Sequence, residues 1–423
     1  MVEHSESEVK SAGGDALDSA AMRIAFVVQR YGVEVNGGAE LHCRQLAERV
    51  AARDDVQQVK VLTTCARDHS TWANHYAPGT STLEGIEVER FRVLTERRPV
   101  LQSLFGPLTR HGPLRRAFEP PWFLAQGPLA PGLLAGLRQQ RRDFDVFVFF
   151  TYLYFPTVFG LPIVAERSLF VPTAHDEPAL RLELALRAFR RTRAIAFNTQ
   201  EERELVASRI DLDRVRSEIV GCGVELDPPT VSPERRERPY LLYLGRVESA
   251  KGVPELLAGF RAFRREHADR WFETSMGRRQ GREVELVLAG RIGDLQPDGD
   301  PAIHWPGFVS DQRRSALLAG CEAVVIPGKL DSLSLSLLEA WALGVPTVSS
   351  ADCPVKRGHT QRSGAGLLFG PELSFSDALE ALLADPEARA RSVAAGVAYV
   401  RAQYSWPVVT ERFMRLARVV AAG

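Results

Sequence analysis

Two carboxylates lie eight residues apart in the segment AVVIPGKLDSLSLSLLEAWALG (323–344). Asp331 falls in a loop after a short apolar run that predicts a buried strand, and Glu339 falls in a helix expected from about Leu335. Carboxylates in these positions can accept hydrogen bonds from sugar hydroxyls. The alternative is that Asp331 caps the helix and Glu339 lies on its surface. We favour a hydroxyl-binding pair, because Glu339 stands in an otherwise apolar stretch where an acid needs a partner.

A second group of residues could bind a diphosphate. The segment YLLYLGRVESAKG (240–252) predicts a strand, followed by Gly245, Arg246 and Lys251, and then by a helix expected from about Pro254. The glycine permits close approach of the backbone, and the two cations would lie beside the helix N-terminus at the carboxyl end of the strand. The alternative is a pair of ordinary solvated charges.

Backbone amides could bind an anion at two further places. The amides of Leu333, Ser334 and Leu335 fall at an expected helix N-terminus, where amide hydrogens and the helix dipole favour a phosphate. Gly37 and Gly38, in the sequence NGGAE, follow the first predicted strand. Adjacent glycines let the backbone turn sharply and expose amides to a phosphate or a sugar hydroxyl. A tight strand-to-helix connection is the simpler alternative for this glycine pair.

Ligands for a metal ion are not grouped in the sequence. His69 and His75 flank Trp72 without carboxylates or cysteines at ligand spacing, so we interpret them as surface or acceptor-side residues. The five cysteines are scattered and form no CxxC pair, and a reducing cytosol is their simplest setting. The sequence therefore predicts no metal site and no cofactor.

The elements that must position these residues form a repeating series. Short apolar runs alternate with stretches of helical periodicity, which is typical of parallel sheets covered on both faces. The series is interrupted once, by the Pro-rich and charged segment PPTVSPERRER (228–238), which indicates a linker. The sequence thus predicts an α/β fold with two doubly wound, Rossmann-like domains that face each other across a cleft. Ligands in such folds bind at the carboxyl ends of the strands.

Charge and hydropathy limit the class of protein. The 53 Lys and Arg residues balance 53 Asp and Glu residues, which argues against a nucleic-acid-binding protein. No apolar run reaches the roughly 20 residues needed to cross a bilayer, and the N-terminus lacks the apolar core of a signal peptide. We therefore expect a cytoplasmic protein with a disordered leader at residues 1–21.

One basic and apolar segment departs from the alternation. Residues 97–118 hold five arginines and no acid, with leucines and phenylalanines between them, and the Pro-rich sequence that follows predicts irregular structure. Such a segment can dock on an anionic membrane surface or on a lipid-phosphate acceptor, so residues 97–123 are a candidate for peripheral contact with the inner membrane face. We favour the simpler alternative, an insertion at 97–135 whose apolar residues cover the first domain.

In order and type, these motifs resemble those of the retaining glycosyltransferases of family 4, which have the two-domain GT-B fold. The resemblance spans about residues 22–420 and rests on GGAE, GRVESAKG and PGKLDSLSLSLLEAWALGVPTV. The last motif is similar to the family's paired-acid signature, E-x7-E, with Asp331 and Glu339 in the places of the two acids. Ser332 and Ser334 stand where the family usually has glycines. The resemblance implies that Glu339 holds the donor ribose and Asp331 the transferred sugar.

Further roles follow from the same resemblance. Arg246 and Lys251 match the family's cationic pair on the diphosphate. His175, in VPTAHDEP, resembles the family histidine beside the donor sugar, although a single histidine near a strand end is as readily an ordinary polar residue. Val309, in PGFVSD, stands where a backbone contact to the base is expected.

The resemblance also implies a division of the chain. We expect, in order, a leader (1–21), an N-terminal acceptor-side domain (22–228), a linker (229–239), a C-terminal nucleotide-sugar-binding domain (240–402) and a terminal helix that packs back on the first domain (403–423).

The function implied is transfer of a sugar, of hexosyltransferase type. The donor would be a UDP- or GDP-linked sugar, and the acceptor a hydroxyl of a saccharide or of a lipid-linked molecule, with retention at the anomeric carbon. The leaving phosphate itself would take the acceptor proton on the same face. Two alternatives stay open: a sugar-nucleotide epimerase of the same architecture, and a non-catalytic nucleotide-sugar-binding protein.

Overall fold

A computed structural model describes residues 21–35, 37–110, 115–226, 231–234 and 236–423. The predicted leader, except for Ala21, lies outside the described residues, as do linker residues 229, 230 and 235. In chain order the strands are β1 (Met22–Val27), β2 (Val56–Thr64), β3 (Gly79–Leu83), β4 (Ile86–Phe91), β5 (Val146–Phe150), β6 (Ser168–Val171), β7 (Ala194–Phe197), β8 (Arg216–Ile219), β9 (Tyr240–Leu244), β10 (Trp271–Thr274), β11 (Gly277–Gln280), β12 (Glu285–Ala289), β13 (Ile303–Gly307), β14 (Ala323–Ile326), β15 (Thr347–Ser350) and β16 (Leu367–Phe369). The α-helices are α1 (Gly38–Ala51), α2 (Pro99–Arg110), α3 (Arg115–Gln126), α4 (Pro131–Gln140), α5 (Phe155–Gly160), α6 (Glu183–Arg191), α7 (Gln200–Ala207), α8 (Val253–Glu266), α9 (Asp311–Gly320), α10 (Leu335–Ala342), α11 (Pro354–Ser363), α12 (Phe375–Ala384), α13 (Pro386–Gln403) and α14 (Trp406–Ala421).

Two large sheets organise the chain. The first has the order β3-β4-β2-β1-β5-β6-β7-β8 and is parallel except for β3, which forms an antiparallel pair with β4. The second has the order β13-β12-β9-β14-β15-β16, and its strands are all parallel. In the first sheet β1 lies between β2 and β5, and in the second β9 lies between β12 and β14. The chain crosses to one side of β1 or β9 first and to the other side later, and a crevice forms at the carboxyl end of the sheet where this change of direction occurs.

The strand sequences explain why both faces of each sheet are covered. All five residues of β5 (VFVFF) are buried, as are the four of β14 (AVVI), and such continuous apolar runs cannot leave a face in water. Helices pack on both faces of each sheet and complete the cores. The predicted α/β fold with two Rossmann-like sheets is confirmed.

The last helix joins the end of the chain to the first sheet. Phe413 of α14 stacks on Phe26 of β1 with ring centroids 6.1 Å apart. Arg418 contacts the Asp55 carboxylate at 2.7 Å. The link between α13 and α14 also touches the first domain, because Val224 donates a 2.8 Å backbone hydrogen bond to the Tyr404 carbonyl.

The basic segment at 97–118 contains α2 and the start of α3. For the Pro-rich sequence at 120–132 we expected irregular structure, and this was wrong for most of its residues: α3 continues through Pro120 and Pro121 to Gln126, α4 begins at Pro131, and residues 127–130 between them are irregular. The carbonyls that these prolines leave without a helical donor belong to Arg116 and Ala117, which are exposed and can bind water. Burial of Phe123 stabilises the helix, so packing outweighs the proline signal.

Candidate active site

Three loops of the C-terminal domain meet at the carboxyl edge of its sheet, after β9, β12 and β14. Gly290 has φ +155°, and a Cβ there would lie 1.7 Å from the carbonyl oxygen of Gly245. Gly252 has φ +74°, and a Cβ there would lie 2.9 Å from the carbonyl oxygen of Pro327. Larger residues would force the loops apart, so these glycines bring the side chains of the three loops within reach of one ligand.

Arg246 and Lys251 both lie in the loop after β9. Lys251 ends the 3₁₀ turn Ser249–Lys251, directly before α8. Its Cδ atom lies 3.9 Å from the position of a Cβ on Gly328, which places it beside the loop after β14. Arg246 is about half-exposed, and its guanidinium contacts the Glu248 carboxylate at 3.1 Å. Two cations therefore stand at the mouth of the crevice, as a diphosphate site requires.

Asp331 lies in the loop after β14 and has a buried partner. Its Oδ2 atom is 3.1 Å from Nζ of Lys356, which is on α11 and is fully buried. Lys356 also donates a hydrogen bond to the Gly328 carbonyl. The Asp331 side chain is 29% exposed, so the carboxylate is held from beneath while part of it is open to solvent.

The loop that leads into α10 is fixed from both domains. His359 of α11 donates from Nε2 to the Leu333 carbonyl at 3.0 Å, because that oxygen can only accept, and Nδ1 then accepts from the Tyr399 hydroxyl. Burial lowers the pKa of His359 to about 3, which keeps the ring neutral for this arrangement. From the first domain, the hydroxyl of Thr199, the N-cap of α7, donates to the Ser332 carbonyl at 3.2 Å.

Ser334 precedes α10 in a left-handed conformation, with φ +64°. Its side chain is buried, and its hydroxyl has no partner among the described residues. Leu333 is buried and Leu335 begins the helix, so the amides of these three residues stand at the α10 N-terminus. The left-handed backbone explains why glycine suits this position, since serine there carries steric strain.

Glu339 lies on α10 and pairs with Arg314 of α9 through its Oε2 atom. The Glu339 side chain is 27% exposed. Val309 is half-buried and lies just after β13, two residues before α9 begins. The contact between Arg314 and Glu339 therefore joins α9 to α10, and α9 begins two residues after Val309.

His175 comes from the loop after β6, in the first domain. Its Nε2 atom lies 3.6 Å from a Glu177 oxygen, and Glu177 accepts a hydrogen bond from the Tyr152 hydroxyl. Burial alone would lower the pKa of His175, but the Glu177 carboxylate outweighs burial and raises that pKa above its ordinary value. The charges of Lys251 and Asp331 also act on the imidazole in opposite senses: Lys251 lowers the pKa of His175 and Asp331 raises it.

The His175–Glu177 contact gives a testable pH dependence. Replacement of Glu177 by Gln removes the charge that chiefly raises the His175 pKa, and leaves burial and Lys251, which lower it, against the smaller opposite effect of Asp331. We therefore expect the His175 pKa to fall below that of an ordinary histidine, which is about 6.5. NMR titration of the His175 ring protons, assigned with a His175→Gln variant, measures the change. An unaltered titration midpoint in Glu177→Gln would contradict the assigned cause.

The glycine pair of the first domain lies beside a buried ion pair. Gly37 is the N-cap of α1 with φ −78°, an ordinary value, so its conformational freedom is not what the site uses. A Cβ at Gly37 would lie 2.0 Å from Glu40 Oε2, and Arg30 donates to the other oxygen of that carboxylate at 2.8 Å. A Cβ at Gly38 would meet no described atom within 4 Å. Gly37 thus leaves room for the ion pair, and Gly38 begins α1 at an open surface.

The His69 side chain is 42% exposed. Burial lowers its pKa, and the charges of Arg30 in the same domain and of Arg246 in the C-terminal domain lower it further. Its interpretation as a surface or acceptor-side residue stays a prediction.

The structure brings several of the residues that the sequence singled out to the same edge of the second sheet. Lys251 stands beside the loop that carries Asp331, and residues 333–335 follow Asp331 on that loop. His175 lies on a loop of the first domain. Three partners were not anticipated: Lys356, Arg314 and Glu177. Lys356 lies on α11, Arg314 lies on α9, and Glu177 lies two residues after His175. None of them has a sequence signature, because each is recognised only by its contact with a candidate residue in the folded chain.

Among the described residues, one group could offer three ligands to a metal ion: His267, Asp377 and Glu380. It lies where α8 ends, whereas the candidate site lies where α8 begins. Glu380 there is already paired with Arg270. Within the part of the chain that the structure describes, no helix is long and apolar enough to cross a membrane.

Residues 229–397 match the family model described as glycosyl transferases group 1. A phosphatidyl-myo-inositol mannosyltransferase of Mycobacterium leprae (strain TN) is 27% identical over 95% of this chain and 98% of its own length. A D-inositol 3-phosphate glycosyltransferase of Frankia alni is 28% identical, over 54% of this chain and 58% of its own length. The chain therefore matches one relative throughout and the other over about half.

Solved structures share this fold, and one of them holds UDP. Anabaena Alr3699/HepE in complex with UDP and glucose superposes with a TM-score of 0.66, at 16% identity, over 93% of this chain and 99% of that protein. Trehalose-6-phosphate synthase OtsA has a TM-score of 0.66, at 13% identity, over 94% of this chain and 99% of that protein. These similarities establish the GT-B architecture, with two Rossmann-like domains around a cleft.

Proposed function

We propose that this GT-B glycosyltransferase, with its glycosyl transferases group 1 domain, moves a sugar from a nucleoside diphosphate sugar to an acceptor hydroxyl with retention at the anomeric carbon. The observation that carries the proposal is the position of Lys251 beside the loop of Asp331, which the Thr199 hydroxyl of the first domain also contacts. A cation and a carboxylate in adjacent loops suit the junction between a diphosphate and a sugar.

The donor would lie along the loops of the C-terminal domain. Arg246, Lys251 and the amides before α10 would bind the diphosphate, and Glu339 would accept hydrogen bonds from the ribose. The base would contact the backbone near Val309. Two observations support this order: Arg314 links the helix of Glu339 to the segment after Val309, and solved structures of the same fold contain UDP. UDP- and GDP-linked sugars are the candidate donors.

The reaction would depend on charge stabilisation at the leaving diphosphate. As the glycosidic bond breaks, negative charge grows on the phosphate oxygens, and fixed cations and amides lower the energy of that state. Asp331 and His175 would hold the sugar hydroxyls while the acceptor attacks. The leaving phosphate would take the acceptor proton on the same face, so the protein need not supply a nucleophile.

The acceptor would bind on the first domain, near Gly38 and His69. Val100, Leu104 and Leu108 recur every four residues on α2, and each is at least 40% exposed. This stripe supports a lipid-linked acceptor at a membrane surface. The relative matched along its full length is named for a phosphatidyl-inositol acceptor, which agrees with this choice over a free saccharide.

An epimerase and a non-catalytic binding protein are the competing functions. Epimerisation would convert one nucleotide sugar into its isomer, whereas a binding protein would leave it unchanged. Transfer releases free nucleoside diphosphate and forms a new glycoside. Incubation with UDP-glucose or GDP-mannose and inositol or phosphatidylinositol vesicles, followed by product analysis, separates the three functions, and proton NMR of the glycoside reports the anomeric configuration.

We expect this transfer to continue at an undiminished rate in EDTA. Arg246, Lys251 and the α10 amides would neutralise the diphosphate, which is the role that a divalent ion has in metal-dependent transferases. The rate is measured with and without the chelator, and heat-denatured protein serves as the blank. Loss of transfer in EDTA, with recovery on addition of Mg²⁺ or Mn²⁺, would contradict the proposed metal independence.

A further inference from the structure

A fully buried lysine lies beneath the candidate sugar site. The Lys356 side chain on α11 is 0% exposed, and its ammonium group contacts Asp331 Oδ2 at 3.1 Å and the Gly328 carbonyl oxygen. Both partners belong to the loop after β14. Of the two, only Asp331 can neutralise the ammonium charge.

Burial of an ammonium group is costly unless it has a counter-charge and hydrogen-bond acceptors. A lysine that served only to fill space would be replaced by an apolar side chain at no cost. Lys356 instead crosses from α11 to the loop and engages it at Gly328 and at Asp331. His359, one helical turn later, donates to the Leu333 carbonyl of the same loop. α11 therefore holds this loop from below at three residues.

We infer that Lys356 is a positioning residue that fixes the Asp331 carboxylate for the donor sugar, an inference that rests on the proposed function. Lys356 engages Oδ2, which leaves Oδ1 for a sugar hydroxyl. Glu339 is held in the same manner, through Oε2, by Arg314. Each acid of the pair thus has its own cation. The fully buried Lys356 holds Asp331 on the sugar side, and the half-buried Arg314 holds Glu339 on the ribose side.

This arrangement accounts for an aspartate at position 331. A carboxylate on the shorter side chain lies closer to the loop backbone, where the Lys356 ammonium can reach it from beneath. The cation limits the carboxylate to one orientation, so little conformational freedom is lost when the sugar binds. Lys356 would then affect the affinity for the sugar and not the affinity for the nucleotide.

Calorimetric titration of Lys356→Met with UDP and with UDP-glucose tests this role, with GDP and GDP-mannose run in parallel. Affinity for the bare diphosphate should be unchanged, while affinity for the sugar nucleotide should fall about tenfold, as expected when a charge-assisted hydrogen bond loses its fixed geometry. Lys356→Arg keeps the charge and should recover part of the loss. Arg314→Met is the matched comparison, and it should weaken both ligands by the same factor, because it acts through Glu339.

A stability measurement tests the pairing without any ligand. Asp331→Asn leaves the buried ammonium of Lys356 without its counter-charge and should lower the midpoint of thermal unfolding. Asp352→Asn is the matched control, since it removes the partner of Lys329, whose ion pair of 2.9 Å is exposed. The control should leave the midpoint unchanged. Equal midpoints for the two variants would overturn the pairing.

The outcomes separate this inference from the function on which it rests. If Asp331→Asn weakens the sugar nucleotide selectively and Lys356→Met does not, Lys356 has no positioning role and the proposed function stands. If Lys356→Met weakens both ligands equally, its role is structural and the inference is wrong. If neither nucleotide sugar binds the unaltered protein, the proposed function fails, and the inference fails with it.

Discussion

Replacement of Lys251 by alanine should lower kcat by roughly two to three orders of magnitude, the effect of removing one preorganised donor to a developing oxyanion. Lys251 stands directly before α8, beside the loop that carries Asp331, so its ammonium group would meet the leaving diphosphate. Arg246→Ala should also lower kcat. Its guanidinium is about half-exposed and already contacts Glu248, so its charge is better screened and we expect the smaller loss.

Steady-state kinetics with the donor identified by thermal shift checks this result. Arg265→Ala is the matched control, because it removes one positive charge from the exposed end of α8, away from the site. The control should keep the rate of the unaltered protein. Near-normal rates in both Lys251→Ala and Arg246→Ala, with unaltered circular dichroism, would show that these cations do not bind the diphosphate.

Sequence patterns were sufficient for the main architecture. The apolar runs at 23–29, 146–150 and 240–244 correspond to the central strands β1, β5 and β9, because strands buried on both faces leave a continuous apolar signal. Short strands were harder to recognise. β15 (TVSS) and β16 (LLF) have only four and three residues, and β15 is fully buried although three of its residues are polar.

The segment between residues 97 and 140 shows where local signals fail. The prolines and glycines at 120–132 indicated irregular structure, but packing keeps most of these residues in helices, at the end of α3 and the start of α4. Phe105 of α2 stacks on Phe118 of α3, with ring centroids 6.5 Å apart, and Glu119 accepts a hydrogen bond from the Leu184 amide. Such contacts join residues that are distant in sequence, so no local pattern contains them.

The candidate site shows the same division. Asp331 and Glu339 could be selected from the sequence because an acid in a strand-end loop or in an apolar helix is unusual. Their partners could not, since Lys356 and Arg314 are each 25 residues away from the acid that they contact. His175 was equally balanced between a functional and an ordinary polar role, because a single histidine near a strand end carries no local signal that separates the two.

The two acids should have separable effects on binding. Glu339→Gln replaces one acceptor oxygen by a donor, so a ribose hydroxyl that donated to the carboxylate loses its partner. Affinity for UDP and for UDP-glucose should then fall together, by about tenfold for one lost hydrogen bond to a charged group. Asp331→Asn should weaken UDP-glucose by a similar factor and leave UDP unaffected. GDP and GDP-mannose replace this pair if guanine is the preferred base.

Calorimetric titration of both ligands against both variants tests the account most directly, below the unfolding temperature of each protein. We predict that Glu339→Gln weakens the bare diphosphate and the sugar nucleotide equally, and that Asp331→Asn weakens only the sugar nucleotide. Unchanged affinities in Glu339→Gln would make that acid a structural residue that only pairs with Arg314. The assignment of the paired acids to a nucleotide sugar would then be contradicted.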